Sequence, residues 1–385
     1  MVKVSIIIPT LNRAHLLKFA LKSAVEQDYR DLEIVVCDDF SDDDTKEMVG
    51  SFNNKNIVYV RADKRLNMTD TFEFALSKAT GEYIVFLTDT CYFLPNAISI
   101  AMNERKKFDA EIVMWKNYGY CSPDWLEPRR RNTLQIPRVT SKSYLLDSGI
   151  YLHKFYDNIR ELIIPKSINS LCHRSIIKKA INIQGRFFTQ PIPDHTSAVS
   201  VLINTRNFLF IDKLLYIGGI SPTNVGASQS FNFGKGSDDF LRGFDKKIEK
   251  AAFLGIPVTS AHIIKGLDNV RKFYPDCPEI NIKNALSEIV DNLIKLQTYG
   301  TNVENYWQIL NDYVDTHYQK LKIAILKRKI RSIIKWKAVK TIRSLPYLYN
   351  FESLIRGMKI LKGDKYGFNN IEEAAKILIN KNHGR

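Results

Sequence analysis

Four short apolar runs, rich in β-branched residues and separated by segments of helical period, organise the first 100 residues. Val4-Ser5-Ile6-Ile7-Ile8 ends at Pro9. From Ala14 to Gln27, apolar side chains recur at Leu16, Leu17, Ala20, Leu21 and Ala24, the spacing of one helix face. Leu32 to Cys37, Ile57 to Val60 and Tyr83 to Leu87 are the other three strands. Between them, Ser41 is placed to cap a helix opening on Asp42-Asp43-Asp44, and Thr71 to Lys78 is helical with Gly81 as its C-cap. This alternation implies a parallel sheet covered on both faces, an α/β fold. In such sheets the site lies beyond the C-terminal ends of the strands.

Three strand ends carry polar groups, and all three fall on that edge. The first offers Thr10, Asn12 and Arg13, the second Asp38 and Asp39, and the fourth Asp89. The stretch 84-IVFLTDTCYFLPNA-97 poses the sharpest question. A hard divalent cation takes several oxygen ligands, yet Asp89 is followed by Thr90 and Cys91 instead of further acids. A buried thiol is the ordinary reading of Cys91.

Beyond residue 110 the pattern loosens. Glu111 to Trp115 and Phe208 to Ile217 read as strands, and residues 116–170 as long loops with short helices. A polar stretch from Ser221 to Ser237 follows Gly218-Gly219 and is expected to be a mobile loop. From Asp238 the chain is mostly helical, over Asp239 to Phe253, Ser260 to Phe273, Ile282 to Gln297, and Val303 to Lys327 and beyond. The expected division is a first domain over 1–232 and a helical one over 233–385.

The formal net charge of +15 is uneven: residues 317–345 hold ten Lys/Arg and no acid, which leaves +5 for all the rest. Ile323, Leu326, Ile330, Ile333 and Ile334 share a helical face there, so the segment reads either as a helix packed on the domain or as an interfacial helix on an anionic membrane. Nucleic acid is not the expected partner, since aromatic interleaving is limited to Trp336. Five scattered Cys with no CxxC pair read as free thiols in a reducing compartment. Residues 2–8 enter a strand at once and no apolar run reaches membrane-span length, so neither a signal peptide nor a span is expected.

The segments 5-SIIIPTLNRAHLLKFALKSAVEQDYRDLEIVVCDDFSDDDT-45 and 81-GEYIVFLTDTCYFLPNAI-98 resemble the family 2 glycosyltransferases of the GT-A fold, with 191-PIPDHTSAV-199 as a further point of likeness. The resemblance implies a Rossmann-like, mainly parallel sheet. It implies that Pro9, Thr10 and Leu11 lie along a nucleotide, that Asp39 accepts from the uracil N–H of a UDP-sugar, and that Asp89 contacts ribose or metal. It also implies that Asp194 is the acceptor-side catalytic base. Asn12, Arg13, Asp38 and Thr90 complete the expected donor set, although strand-end structure competes for Asp38. His195 and Arg174 are expected on the acceptor side. Against these stand an N-cap role for Asp194 in a helix from Thr196-Ser197, a covering role for His195, and a solvated turn position for Arg174. The chain departs from the family at Thr90 and Cys91, at Phe72 where Arg is frequent, and at Leu11 where a base-stacking Tyr is frequent.

The expected activity is inverting transfer of a sugar from a nucleotide donor, UDP-linked on the resemblance, to a hydroxyl of a glycan or lipid-linked acceptor. The setting implied is bacterial surface-polysaccharide synthesis, in the cytoplasm and peripheral to the inner membrane face. Mg²⁺ or Mn²⁺ is expected to be weakly required or dispensable. The competing reading is a non-catalytic nucleotide- or glycan-binding protein that has lost its metal site. A nucleotidyltransferase is disfavoured because no Gly-rich phosphate loop follows the first strand.

Overall fold

A computed structural model describes residues 2–224, 252–344 and 357–382. The first half runs β1 (Val4–Thr10), α1 (Ala14–Val25), β2 (Leu32–Asp38), α2 (Thr45–Gly50), β3 (Ile57–Arg61), α3 (Met68–Lys78), β4 (Tyr83–Phe86), β5 (Tyr92–Phe93) and α4 (Ala97–Phe108). There follow β6 (Ile112–Cys121), β7 (Thr133–Pro137), β8 (Ser143–Asp147), α5 (Ser148–Asp157), β9 (Ser170–His173), α6 (Arg174–Gln184), α7 (Pro193–Asn204) and β10 (Asn207–Ile220). The last part holds α8 (Thr259–Arg271), α9 (Ile282–Thr298), α10 (Glu304–His317), α11 (Lys322–Ser344), β11 (Met358–Lys362), α12 (Gly363–Tyr366) and α13 (Ile371–Asn382).

One sheet carries all of the strands among the described residues, in the order β11-β7-β6-β9-β4-β1-β2-β3, with β10 beside β6 and joined in turn by β5 and β8. β1–β2, β1–β4, β2–β3 and β6–β10 pair in parallel, and the longest registers are those of β6–β10 and β1–β2. β9 lies antiparallel between β4 and β6. Every residue of β1 and β2 is buried, as expected of central parallel strands.

Their side chains alternate between two cores. Ile7, Val35, Ile84 and Phe86 face α3, α6, α7 and the helices α8 to α10, whereas Val4, Ile6, Ile8, Ile34, Val36 and Val85 face α1 and α4. The C-terminal helices thus share a continuous core with the sheet. Phe72 belongs to this packing: its ring stacks on Phe86 at 5.0 Å and meets Phe188 edge-on at 5.4 Å.

Several local expectations change. Gly81 is not a cap, because α3 ends at Lys78 with Ala79 as its C-cap. Its role is close approach: a Cβ there would stand 2.6 Å from the Ser5 amide nitrogen on β1. Ser41 caps nothing, since α2 begins only at Thr45, and Asp43 instead accepts from the Thr45 amide and hydroxyl. The 116–170 region, read as long loops with short helices, contains the rest of β6 and the strands β7 and β8 besides the short helix α5. The helix expected to run unbroken from Val303 divides at Tyr318, where α10 gives way to a short 3₁₀ turn before α11.

The expected domain boundary near 230–238, most of the loop Ser221 to Ser237, and the helix from Asp239 lie outside the described residues. The expected helical second domain also includes a strand. β11 pairs with β7, and α13 seals a third core around Leu134, Leu361 and Phe368. All five cysteines are free and buried. Among the described residues no helix is long and apolar enough to cross a membrane.

Candidate active site

The parallel register ends β1 and β2 flush, with Thr10 opposite Asp38. The turn after β1 is laced to the turn after β2. Asn12, in the left-handed region at φ 52°, accepts from the Asp42 amide at 2.7 Å, while its own amide donates to the Ser41 hydroxyl at 2.9 Å. The Ala14 amide donates to Asp43 at 2.9 Å, and the Asp39 amide to the Thr10 carbonyl at 3.0 Å. Pro9 is buried in the strand, and Leu11 is half-buried on the turn.

The two neighbouring aspartates separate in role. Asp38 is fully buried and its oxygens are engaged: Tyr59 donates at 2.6 Å, Arg61 at 2.8 Å and the Ser41 amide at 2.8 Å. That carboxylate holds β2, β3 and the turn together. Asp39 accepts from the Leu66 amide at 2.7 Å. Burial pushes its carboxyl up to about 6, against the Leu66 and Thr71 hydrogen bonds that lower it. A carboxylate held this poorly has capacity for another donor.

Asp89, also buried, accepts from the Thr10 hydroxyl at 3.1 Å and from Arg13 at 3.2 Å. A second Arg13 nitrogen donates to the Thr223 carbonyl at 2.5 Å. Thr88 donates to the Cys91 sulfur at 2.8 Å, and Asn224 reaches the Thr90 hydroxyl at 3.4 Å. β10 passes so near that a Cβ on Gly219 would stand 1.7 Å from the Thr90 carbonyl oxygen, so only glycine fits.

The donor set after β4 is therefore one carboxylate already shared by a hydroxyl and a guanidinium, two threonines, and a thiol whose pKa burial raises. Among the described residues no three His, Cys, Asp or Glu side chains gather to hold a cation. These residues do not fit a metal site built by the protein alone.

On the other flank of β4, the Phe86 amide donates to the Ser167 carbonyl at 3.1 Å, and the Ser167 amide to the Ser197 hydroxyl at 3.4 Å. This brings the 164–169 segment and the start of α7 to the edge that holds Asp89. α7 begins at Pro193, so Asp194 lies within its first turn and does not cap a helix from Thr196.

Asp194 Oδ1 is 3.0 Å from His195 Nδ1, Asp194 Oδ2 is 3.6 Å from Lys166 Nζ, and Lys166 Nζ is 2.8 Å from His195 Nε2. The three side chains close a ring. Burial acts to raise the Asp194 pKa, but the facing His195 and Lys166 groups hold it below the usual carboxylate range. Burial lowers both His195 and Lys166, with Asp194 opposing. The distances fit a neutral His195 that donates from Nδ1 to Asp194 and accepts at Nε2 from the lysine.

Arg174 is not brought to this edge. It donates to the Gly81 and Ala79 carbonyls at 2.7 and 2.8 Å, at the N-terminal end of β4. Its neighbour His173 N-caps α6, and that turn fixes the arginine on the far side of the sheet. Lys166 was missed from the sequence. It lies in no motif, and its partner His195 is 29 residues away.

Over 124 residues the chain is 35% identical to a GalNAc(5)-diNAcBac-PP-undecaprenol beta-1,3-glucosyltransferase of Campylobacter jejuni, a match covering 31% of this chain and 38% of that one. It is 32% identical over 117 residues to the UDP-Glc:alpha-D-GlcNAc-diphosphoundecaprenol beta-1,3-glucosyltransferase WfaP of Escherichia coli, covering 30% and 45%. The chain thus spans less than half the length of these relatives. Among solved structures it resembles the mannosyltransferase PcManGT of Pyrobaculum calidifontis, in complex with GDP-Man and Mn²⁺, at 16% identity and a TM-score of 0.47, covering 87% of each chain. That overlay is too loose to inform the site. The model of Glycosyl transferase family 2 matches residues 5–182, and over that part the chain is similar to that family.

Proposed function

We propose that the protein is an inverting glycosyltransferase that moves a sugar from a UDP-linked donor to a hydroxyl of a glycan or lipid-linked acceptor. The observation that carries this reading is the placement of two carboxylate groups in opposite electrostatic states on the two flanks of β4. Asp39, raised by burial, stands beside the Asp89–Arg13 pair, and Asp194, held anionic, stands with His195 and Lys166. The names of the relatives, a UDP-Glc transferase and an undecaprenol-linked one, favour the same donor and acceptor classes. The reading extends to bacterial surface-glycan synthesis on the cytoplasmic face of the membrane.

In this mechanism Asp39 accepts from the uracil N–H, and Thr10 and Asp89 meet the ribose. Arg13 sets a positive charge where the diphosphate gathers negative charge as it leaves. The acceptor oxygen attacks the anomeric carbon from the opposite face, the bond to the diphosphate breaks with its electron pair going to UDP, and the hydroxyl proton passes to Asp194. Lys166 and His195 hold the Asp194 carboxylate in one orientation. A divalent metal, weakly required or dispensable, would have only Asp89 from the protein and the donor phosphates as ligands.

Calorimetry with UDP and UDP-sugars, paired with turnover assays, tests the proposal. Asp39→Ala weakens UDP binding by about 1.5–3 kcal/mol, the range for a hydrogen bond to a charged group. Asp194→Asn lowers kcat by roughly 10²–10⁴ with donor binding intact. The missing acids after Asp89 favour a second reading, a nucleotide-binding protein without turnover. UDP binding by the parent with no transfer or hydrolysis would establish that one instead.

A further inference from the structure

We infer that α11 and the start of α9 form a docking surface for an anionic lipid bilayer, with a phosphate-binding groove beside an apolar stripe. This goes beyond the transfer reaction and does not depend on it.

The helix has two unlike faces. One is committed to the fold. Ser332 donates to the buried Asp291 at 2.8 Å, Lys335 pairs with Asp291 at 2.9 Å, and Arg328 pairs with Glu288 at 3.3 Å. On the same side Ile325 is buried, and Ile333 and Trp336 pack against the main core. Lys329 lies over the Trp307 ring at 4.1 Å, Lys322 pairs with Asp315 at 2.9 Å, and Lys340 donates to the Thr298 carbonyl at 2.9 Å. These basic residues therefore already have partners within the protein.

The opposite face carries Ile323, Leu326, Ile330 and Ile334, exposed by 68, 56, 51 and 64%. Their spacing of three, four and four residues makes one continuous stripe along the helix. Ile333, grouped with them from the sequence, belongs to the packed side. Flanking the stripe are Lys320, Lys327, Arg331 and Lys337, which have no carboxylate partner among the described residues. A groove of about 500 Å³ opens where α9 meets α11. It is lined by Lys283, Ser287, Lys320, Lys327, Arg328 and Arg331, with Ile323 and Ala324, and by no acid.

An apolar stripe bordered by cations matches the acyl–headgroup boundary of an anionic leaflet: apolar side chains enter the boundary while Lys and Arg meet phosphate. The acid-free groove suits a lipid phosphate. A second copy of the chain fits poorly, because a two-fold contact through this stripe would set the same cations against one another. Nucleic acid would leave the four aliphatic side chains in water.

Flotation of the full-length protein with vesicles tests this. The parent floats with vesicles containing phosphatidylglycerol at low salt, does not float with phosphatidylcholine alone, and is released by salt. The triple variant Lys320→Gln, Lys327→Gln, Arg331→Gln loses roughly a hundredfold in partitioning, three charges near the surface at roughly fivefold each. Leu326→Ser with Ile330→Ser also lowers partitioning, with the melting temperature unchanged because both side chains are exposed. No flotation of the parent, or equal flotation with neutral vesicles, would overturn the inference. So would a fall in melting temperature of the Leu326→Ser/Ile330→Ser variant without lipid, which would mean that the stripe is covered within the protein. Saturable binding of inorganic phosphate in the groove without vesicle binding, or a parent dimer that this variant dissolves, would assign the surface to those occupants.

Discussion

Arg13 and Asp89, both named in the sequence as separate donor-site candidates, form one ion pair at 3.2 Å, and the same guanidinium holds the Thr223 carbonyl. A fixed positive charge thus sits at the strand end where further acids are missing. Arg13→Met is expected to weaken UDP binding by about 1.5–3 kcal/mol without metal, and to make binding respond to Mn²⁺ because the variant frees an Asp89 oxygen. Calorimetry of parent and variant with and without Mn²⁺ measures both effects. Unchanged metal-free affinity would remove Arg13 from the phosphate contact.

Asp39 should cost the fold stability above its own pKa. Burial raises the carboxyl from 3.8 to about 6, so the folded state takes up a proton before the unfolded state does. Stability attributable to this group therefore rises as pH falls through 6 and levels off near 4. Asp39→Asn is expected to stabilise the protein at pH 8 by up to roughly 3 kcal/mol, with the gain vanishing by about pH 4. Denaturant melts at the two pH values check the sign. UDP binding should fall in the same variant.

Lys166 acts on Asp194 through charge. Lys166→Met removes the cationic one of the two neighbours that hold this carboxyl down, so its pKa rises. The acid limb of the kcat/KM profile should move to higher pH, while UDP affinity stays put. A uniform loss of rate with no movement of that limb would leave Lys166 a purely structural part.

Gly219→Ala tests the contact of β10 with the Thr88–Cys91 turn. The added methyl would overlap the Thr90 carbonyl, so the turn that bears Asp89 must shift. The expected outcome is a loss of donor affinity of at least tenfold and a lower melting temperature, roughly 1–3 kcal/mol of overpacking. Gly185→Ala, at a glycine with nothing near its Cβ but a positive φ, serves as a control that lowers stability without altering UDP affinity.

Asp291 anchors α11. Burial works to raise its pKa, but Arg160, Lys335 and Ser332 hold it at about 2. A depressed carboxyl stabilises the fold above its unfolded pKa, and that stabilisation is lost as pH falls from about 4 toward 2. Asp291→Ala strands Lys335 and leaves Arg160 and Arg328 with Glu288 alone, and should cost about 3–5 kcal/mol at neutral pH. The gap between parent and variant should narrow below pH 4 in urea melts.

The first four strands and the residues at their ends were legible because buried parallel strands write themselves as apolar runs, and their ends mark the crevice. The division between Asp38 and Asp39 was only half legible. It depends on Tyr59 and Arg61 reaching across from β3, which spacing along one strand does not encode. Lys166 and the far-side position of Arg174 were hidden for the same reason: each is set by long-range contact and carries no local pattern. β7 and β8 are short and partly exposed, too weakly patterned to stand out from loop. β11, a five-residue Lys-bearing strand, declares itself only by the edge it joins.

That edge has a consequence for biosynthesis. β7 is made roughly 220 residues before β11 arrives to pair with it, an interval of roughly 10–45 s at ribosomal elongation rates. During that time Leu134 and the aromatic surface of Tyr92 and Tyr120 have neither β11 nor α13 over them. A nascent chain in this condition presents an unpaired strand flanked by apolar surface, the kind of segment that chaperones shield. A premature stop before Met358 would make the condition permanent, and the truncated product should aggregate although every residue of the candidate active site is present.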